Sequence, residues 1–357
     1  MALTLTHAKQ SAGWVCEIVG RKNMTILINV ALLSIGLFAL VKGADVFVEG
    51  ASGFAARLGI PSLLVGLTIV ALGTSAPEAA ISIASAAQST SSMAIAGVFG
   101  SNIINTLVIL GITALVVEMP VHRTTMRYEI PFVVLITAVL LILGAYDGRL
   151  GRGDSLLLLL FLAAYLTYLA FMAKSSAKPN EIAATSEAAA PSEIAAQSES
   201  TAADDATPAQ PLFKLILLCL AGAAAICVGA QFTVDGATEI ARMLGMSERV
   251  VGLTIIALGT SLPELVTSLA AARKGKADMA IGNVVGSSIF NVLFVLGVSG
   301  VIAPMPFAPE LLLDGVVALA SVALLWFVCL RNRRLSRVGG VSLLASYAIY
   351  LSVILVG

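Results

Sequence analysis

Two glutamates sit where a carboxylate is costly. Glu78 and Glu264 each close the same run, Gly-Thr-Ser-x-Pro-Glu, at Gly73–Glu78 and Gly259–Glu264, inside apolar stretches long enough to cross a bilayer. An ionisable side chain at that depth marks a site or a pathway rather than simple packing. The residues before it disrupt a helix. Pro77 cannot donate a hydrogen bond and crowds the carbonyl of Gly73, and Thr74 and Ser75 can bond backbone in place of the ladder. The helix is expected to break here and to free the carbonyls of Ala71 and Leu72 as ligands. Irregular backbone at membrane depth is tolerated only where it lines a protein-buried or wet cavity. Glu78 then opens the resumed helix, where the positive dipole end suits a carboxylate. The competing reading is a proline kink whose glutamate is paired with a basic neighbour. It lacks the neighbour: apart from Lys214 and Arg249 at the very ends of spans, Lys42 is the only basic residue in one, and Val228 stands at its counterpart.

A second polar constellation follows each break. Gly100-Ser101-Asn102-Ile103-Ile104-Asn105 reappears as Gly286-Ser287-Ser288-Ile289-Phe290-Asn291. Ser101 and Asn105 are four apart and share a helix face, as do Ser287 and Asn291. These residues could serve as interhelical hydrogen-bonding groups. Their pairing with a broken helix in each half favours ligation. Gly97, Gly100 and Gly111, with Gly282, Gly286 and Gly297, are expected to let helices approach closely.

The donor set is two carboxylates, two amide oxygens, several hydroxyls and a few carbonyls. No span carries a histidine, and Cys16, Cys219, Cys227 and Cys329 show no ligand spacing. Zinc and copper are therefore poor fits, and hard cations are good ones. Ca²⁺ takes about six to eight oxygens in a tolerant geometry. A charge of −2 is neutralised by one Ca²⁺, two Na⁺ or two protons, a balance suited to exchange.

The elements that position these residues come in two copies. The offset from Gly66 to Gly252 is 186 residues and holds without a gap through Gly111 and Gly297, with about half the positions identical. The 357 residues are 58% hydrophobic and 12% charged, with mean hydropathy +0.98. This composition is that of a polytopic membrane protein, and zero net charge gives no case for a nucleic-acid partner. Expected spans are residues 25–48, 61–87, 93–117, 128–146 and 154–173 in the first copy. Those of the second are 212–234, 247–272, 277–302, 310–330 and 340–357. Residues 1–24 read as an N-terminal extension. Residues 174–211, rich in Ala, Ser, Pro and Glu, read as a disordered linker. The fold class expected is all-α, with ten transmembrane helices as two inverted five-helix repeats broken at the midplane, because an odd number of spans reverses the second copy. With both termini outside a cell (inner) membrane, the inner loops hold thirteen basic residues and the outer segments seven. The linker is then cytoplasmic.

At these residues the chain resembles the cation/calcium exchanger superfamily, whose two alpha repeats carry this paired motif, and most of all its prokaryotic sodium/calcium antiporter branch. The resemblance spans residues 25–357. It implies exchange of Ca²⁺ for Na⁺ by alternating access, with no resident cofactor and no enzymatic activity. By the family pattern Glu78 and Glu264 are the central ligands, joined by Thr74, Ser75, Ser101, Thr260, Ser261 and Ser287 and the carbonyls of Ala71 and Ala257. The first and sixth spans slide against the rest. One departure stands out: many sodium/calcium exchangers carry aspartate where this chain has Asn291. That leaves a Ca²⁺/H⁺ antiporter as the alternative.

Two further classes fit less well. A cation channel needs weak binding along a continuous pore, whereas paired broken helices suit a transporter. An intramembrane protease needs a histidine base or matched aspartates. Asp45 and Asp235 do not occupy matching repeat positions.

Overall fold

A computed structural model of the chain describes residues 2–87, 92–176, 210–246, 255 and 257–356. The protein is an all-helical polytopic membrane protein. Among the described residues eight helices are long and apolar enough to cross a membrane, or nine if one bent pair counts as a span. The first copy holds α1 (Ala2–Leu58), α2 (Ser62–Thr74), α3 (Ala76–Ala87), α4 (Ala94–Val116), α5 (Thr125–Asp147) and α6 (Arg152–Ser176). The second holds α7 (Leu212–Met243), α8 (Ala257–Thr260), α9 (Leu262–Arg273), α10 (Ala277–Ile302), α11 (Leu311–Leu330) and α12 (Arg337–Val356).

The first helix departs from expectation. It starts at Ala2 rather than near residue 25 and continues past residue 48 to Leu58. No proline interrupts residues 2–58, so nothing in the chain forces an earlier end. Its stop is a glycine turn. Gly59 has φ +62° and Ile60 N–H reaches back to Ala55 O at 3.1 Å. The second copy repeats this: Gly245 has φ +82° and Met246 N–H meets Ala241 O at 3.1 Å. Only glycine adopts that backbone without strain, and the bond satisfies a terminal carbonyl. Most of the expected linker, and part of the expected span 247–272, lie outside the described residues.

Four two-residue strands tie the loops. The segment after α4 (β1, Met119–Pro120) pairs with the one between α11 and α12 (β4, Arg334–Leu335). The segment between α5 and α6 (β2, Arg149–Leu150) pairs with the one after α10 (β3, Met305–Pro306).

The longest interhelical seam joins α1 to α7. A Cβ on Gly36 would lie 2.6 Å from Thr233 N, on Gly43 2.9 Å from Ile226 N, and on Gly50 2.9 Å from Cys219 N. Rising numbers on one helix meet falling numbers on the other, so the two run antiparallel. Gly222, Gly229 and Gly236, their counterparts at the 186-residue offset, approach the backbone of Phe47, Leu40 and Asn29 in the same way. In lipid, such seams are held by close backbone packing rather than by apolar burial.

The expected close approaches at the other glycines hold in part. Gly282 and Gly286 meet the backbone of Leu63 and Leu67 at 2.8 Å. Gly111 packs on Leu344 and Gly297 on Leu159, each at 2.8 Å. Gly97 and Gly100 do not fit the expectation: a Cβ there meets nothing within 4 Å among the described residues. The counterparts of Leu63 and Leu67 in the second copy, residues 249 and 253, lie outside the described residues.

Gly43→Ala and Gly229→Ala are expected to force α1 and α7 apart at a cost of about 1–3 kcal/mol each. The check is a lowered melting temperature in detergent, against Gly97→Ala, which is expected to leave melting unchanged or raise it. Equal effects at all three positions would contradict the seam.

Candidate functional site

The helix breaks at the predicted residues in both copies. Ser75 separates α2 from α3 with φ −84° and ψ 1°, and Ser261 separates α8 from α9 with φ −93° and ψ 4°. This sparsely populated backbone region is frequent at functional sites. The two halves of the first break are bent by 48°. Glu78 and Glu264 both lie in the first turn of the resumed helix. Both are buried, Glu264 to 1% exposure.

The two motifs meet across the repeat boundary. Ser75 Oγ donates to Glu264 Oε1 at 3.0 Å. Thr74 Oγ1 lies 3.1 Å from Asn283 Oδ1, and Asn283 Nδ2 donates to Ser268 Oγ at 2.9 Å and to Glu264 O at 3.4 Å. Asn283 therefore binds the first break to the second resumed helix. The sequence reasoning missed it, because it matched the copies position by position and the counterpart of Asn283 is Gly97. It also missed Asn102, which sits inside the quoted motif. Asn102 Nδ2 donates to Ser288 O at 3.3 Å, and Asn291 Nδ2 donates to Asn102 Oδ1 at 3.3 Å. This second bridge links α4 to α10 and fixes which end of the Asn291 amide is free.

What remains is a set of buried oxygens without hydrogen-bond partners among the described residues. They are Glu78 Oε2, Glu264 Oε2, Asn105 Oδ1, Asn291 Oδ1, Ser261 Oγ and Ser287 Oγ, with Thr267 Oγ1 one turn beyond Glu264. Buried polar groups are normally paired, and a lone buried oxygen costs about 1–3 kcal/mol, more if charged. Such a concentration, all of acceptor type or able to act so, is the complement of a cation. Among the described residues no ion pair reaches either glutamate. Nor do three of His, Cys, Asp and Glu cluster there.

The remaining expected residues fall as follows. Thr74, Ser75 and Ser101 are buried, as are Asn105, Ser261, Ser287 and Asn291. Thr260 closes α8 and is half-buried. The Ala71 carbonyl is not freed as expected. It accepts Ser75 N–H at 3.0 Å and lies 3.3 Å from Thr74 Oγ1. The break sits one residue later than the proline alone would place it, so the bond to Ala71 survives. In the second copy Ser261 N–H turns instead to Leu258 O at 3.1 Å, leaving Ala257 O without that donor.

A feature with no sequence signature flanks the asparagines. Ile104–Ile109 and Asn291–Val295 are π-helical, and the carbonyls of Asn105 and Asn291 each accept from the fifth residue on. Single π-turns are common at functional sites.

Comparison with known proteins agrees with this geometry. The family model described as sodium/calcium exchanger protein matches residues 28–171 and 214–356. The chain is 36% identical over 286 residues to the inner membrane protein YrbG of Escherichia coli (strain K12), covering 80% of this chain and 83% of that one. It is 35% identical over 351 residues to the sodium/calcium exchanger MaX1 of Methanosarcina acetivorans, covering 92% and 99%. Among solved structures, the sodium-calcium exchanger NCX_Mj superposes with a TM-score of 0.74 at 26% identity, covering 92% of this chain and 99% of that one. With both of its copies matched by the model and the paired motifs at its centre, this chain belongs to the sodium/calcium exchanger protein family.

Proposed function

We propose that the protein is a secondary active antiporter that exchanges Ca²⁺ for Na⁺ across the cell (inner) membrane by alternating access. Its site is all-oxygen, built on Glu78 and Glu264 with Asn105, Asn291, Ser261, Ser287 and the neighbouring hydroxyls of Thr74, Ser75, Ser101 and Thr260. Backbone carbonyls of Ala71 and Ala257 complete it. A carbonyl has two lone pairs, so the Ala71 oxygen can ligate while it accepts Ser75 N–H. The observation that carries the reading is the set of buried oxygens contributed by both copies that lack partners among the described residues, with no cation of those residues paired to the glutamates. Substrate cations supply the missing charge. One Ca²⁺ or two Na⁺ balances −2, and both together do not, so one ion displaces the other.

Alternating access rests on ten spans in two inverted five-helix repeats. The antiparallel run of α1 against α7, which are counterparts in the two copies, supports inversion. So do the strand pairs: the loop after α4 lies with the one before α12, and the loop after α10 with the one before α6. The α1–α7 seam of small residues would let these two helices slide as a unit. Both termini outside and residues 174–211 inside is the orientation favoured by the basic residues. A cysteine introduced at Ser198 is expected to react with an impermeant thiol reagent only after cells are opened. Labelling of intact cells would reverse the orientation.

The counter-ion is the open choice between close relatives. Asn105 and Asn291 are both neutral, which favours considering protons as the alternative. Uptake of ⁴⁵Ca²⁺ into proteoliposomes decides it: an imposed Na⁺ gradient is expected to drive saturable uptake. Uptake driven by a pH gradient alone would establish the Ca²⁺/H⁺ reading instead.

In the same assay Glu78→Gln and Glu264→Gln each leave a divalent ion undercompensated in a buried site. Each is expected to weaken Ca²⁺ by several kcal/mol, on the order of a thousandfold. Asn105→Ala and Asn291→Ala remove one neutral ligand and cost less, about 1–3 kcal/mol. Asn291→Asp adds a third carboxylate and is expected to tighten Ca²⁺ or make transport more pH-sensitive. Near-normal flux in both glutamate variants would place the site elsewhere.

A further inference from the structure

Away from the central site, α5 and α6 enclose a cavity of about 380 Å³. Its walls include Tyr128, Phe132, Tyr165 and Tyr168, with Glu129 at its base and Arg127 at its rim. Phe132 and Tyr165 stack with centroids 5.4 Å apart, and Tyr128 and Tyr168 lie 6.3 Å apart. Glu129 is 1% exposed. Tyr168 Oη donates to its Oε1 at 2.8 Å, while its Oε2 is buried without a partner. The hydroxyl of Tyr165 is likewise buried and partnerless. The cavity thus has aromatic faces, one unmet carboxylate oxygen and one unmet hydroxyl.

The second copy supplies an internal control. Tyr350 Oη donates to Asp314 Oδ1 at 2.8 Å, and Tyr347 lies beside Tyr350 at 6.3 Å, repeating the pair Tyr165 and Tyr168. A carboxylate–tyrosine bond between these helices is therefore a structural latch common to both copies. The first copy adds to it the orphaned oxygens and Phe132, whose place three residues after the acid is taken by Val317 in the second. The latch alone does not account for these additions.

We infer that this cavity binds the primary ammonium headgroup of an aminophospholipid. The aromatic faces attract a cation, and the two orphaned oxygens need N–H donors, which a primary ammonium has and a quaternary one lacks. Arg127 is exposed, with its guanidinium 5.8 Å from the Tyr128 ring centroid, where the adjoining phosphate would lie. Tyr128 is 50% exposed, so the site is open at its edge. It runs from the first turns of α5, at Arg127 and Tyr128, to the middle of α6 at Ala164 and Tyr165, so a headgroup would enter from the Arg127 end. A zwitterion of this order, ammonium inside and phosphate at the rim, matches the acid-then-arginine arrangement.

The test is native mass spectrometry of the full chain in detergent, titrated with phosphatidylethanolamine, phosphatidylcholine and phosphatidylglycerol of identical acyl chains. The protein is expected to retain phosphatidylethanolamine about tenfold or more better than either of the others. Glu129→Gln is expected to abolish the preference, and Asp314→Asn to leave it intact. If Glu129→Gln does not insert, Tyr165→Phe, which removes only the hydroxyl, is read in its place and is expected to narrow the preference about fivefold. Equal retention of the three lipids, a preference for phosphatidylglycerol, or a preference undiminished in the Glu129 or Tyr165 variant would overturn the assignment.

Discussion

Two carboxylates buried together, with no ion pair to either among the described residues, are the constraint on which the structure turns. Each loses its hydration in a low-dielectric interior, and no described lysine or arginine restores it. Ser75 Oγ meets one oxygen of Glu264, and the outer oxygens of both glutamates stay unmet. A rigid protein would dispense with such an arrangement. Its persistence is intelligible if the compensating charge comes and goes with the substrate. The rest of the fold serves to hold the two acids within one buried, hydrogen-bonded cluster.

That holding is asymmetric in detail although the plan is duplicated. The breaks at Ser75 and Ser261 have nearly the same backbone angles. Asn283, by contrast, spans from the first break to the second resumed helix and has only Gly97 opposite it. Asn102 orients Asn291, while Ser288 at the equivalent place offers Asn102 its carbonyl and turns its hydroxyl back to Val284 O at 3.0 Å. Two copies of one sequence thus give one site with two unlike sides.

The centre of the site was legible in the sequence because its signals are strong and local. Proline four residues after glycine weakens a helix at both ends of one turn, and a glutamate in an apolar run stands out against it. Repetition at a constant offset doubled that evidence. Residues that lack a counterpart were invisible to the same reasoning: Asn283 faces a glycine, and Glu129 lies beyond the stretch where the offset holds. The π-turns at the asparagines leave no compositional trace. The Ala71 carbonyl was misjudged because a proline marks where a hydrogen bond is lost but not how the neighbouring bonds rearrange. The reach of α1 was misjudged because hydropathy finds the part of a helix inside the membrane, while only a breaker such as Gly59 ends it.

The most direct measure of the central claim is equilibrium binding of Ca²⁺ to the purified protein, followed by calorimetry as Na⁺ is raised. If two buried carboxylates are balanced by one kind of ion at a time, a single Ca²⁺ binds per chain. Na⁺ then displaces it competitively, with a dependence steeper than first order. Ca²⁺ binding that Na⁺ leaves unchanged, or that persists when both glutamates are replaced by glutamine, would contradict the account.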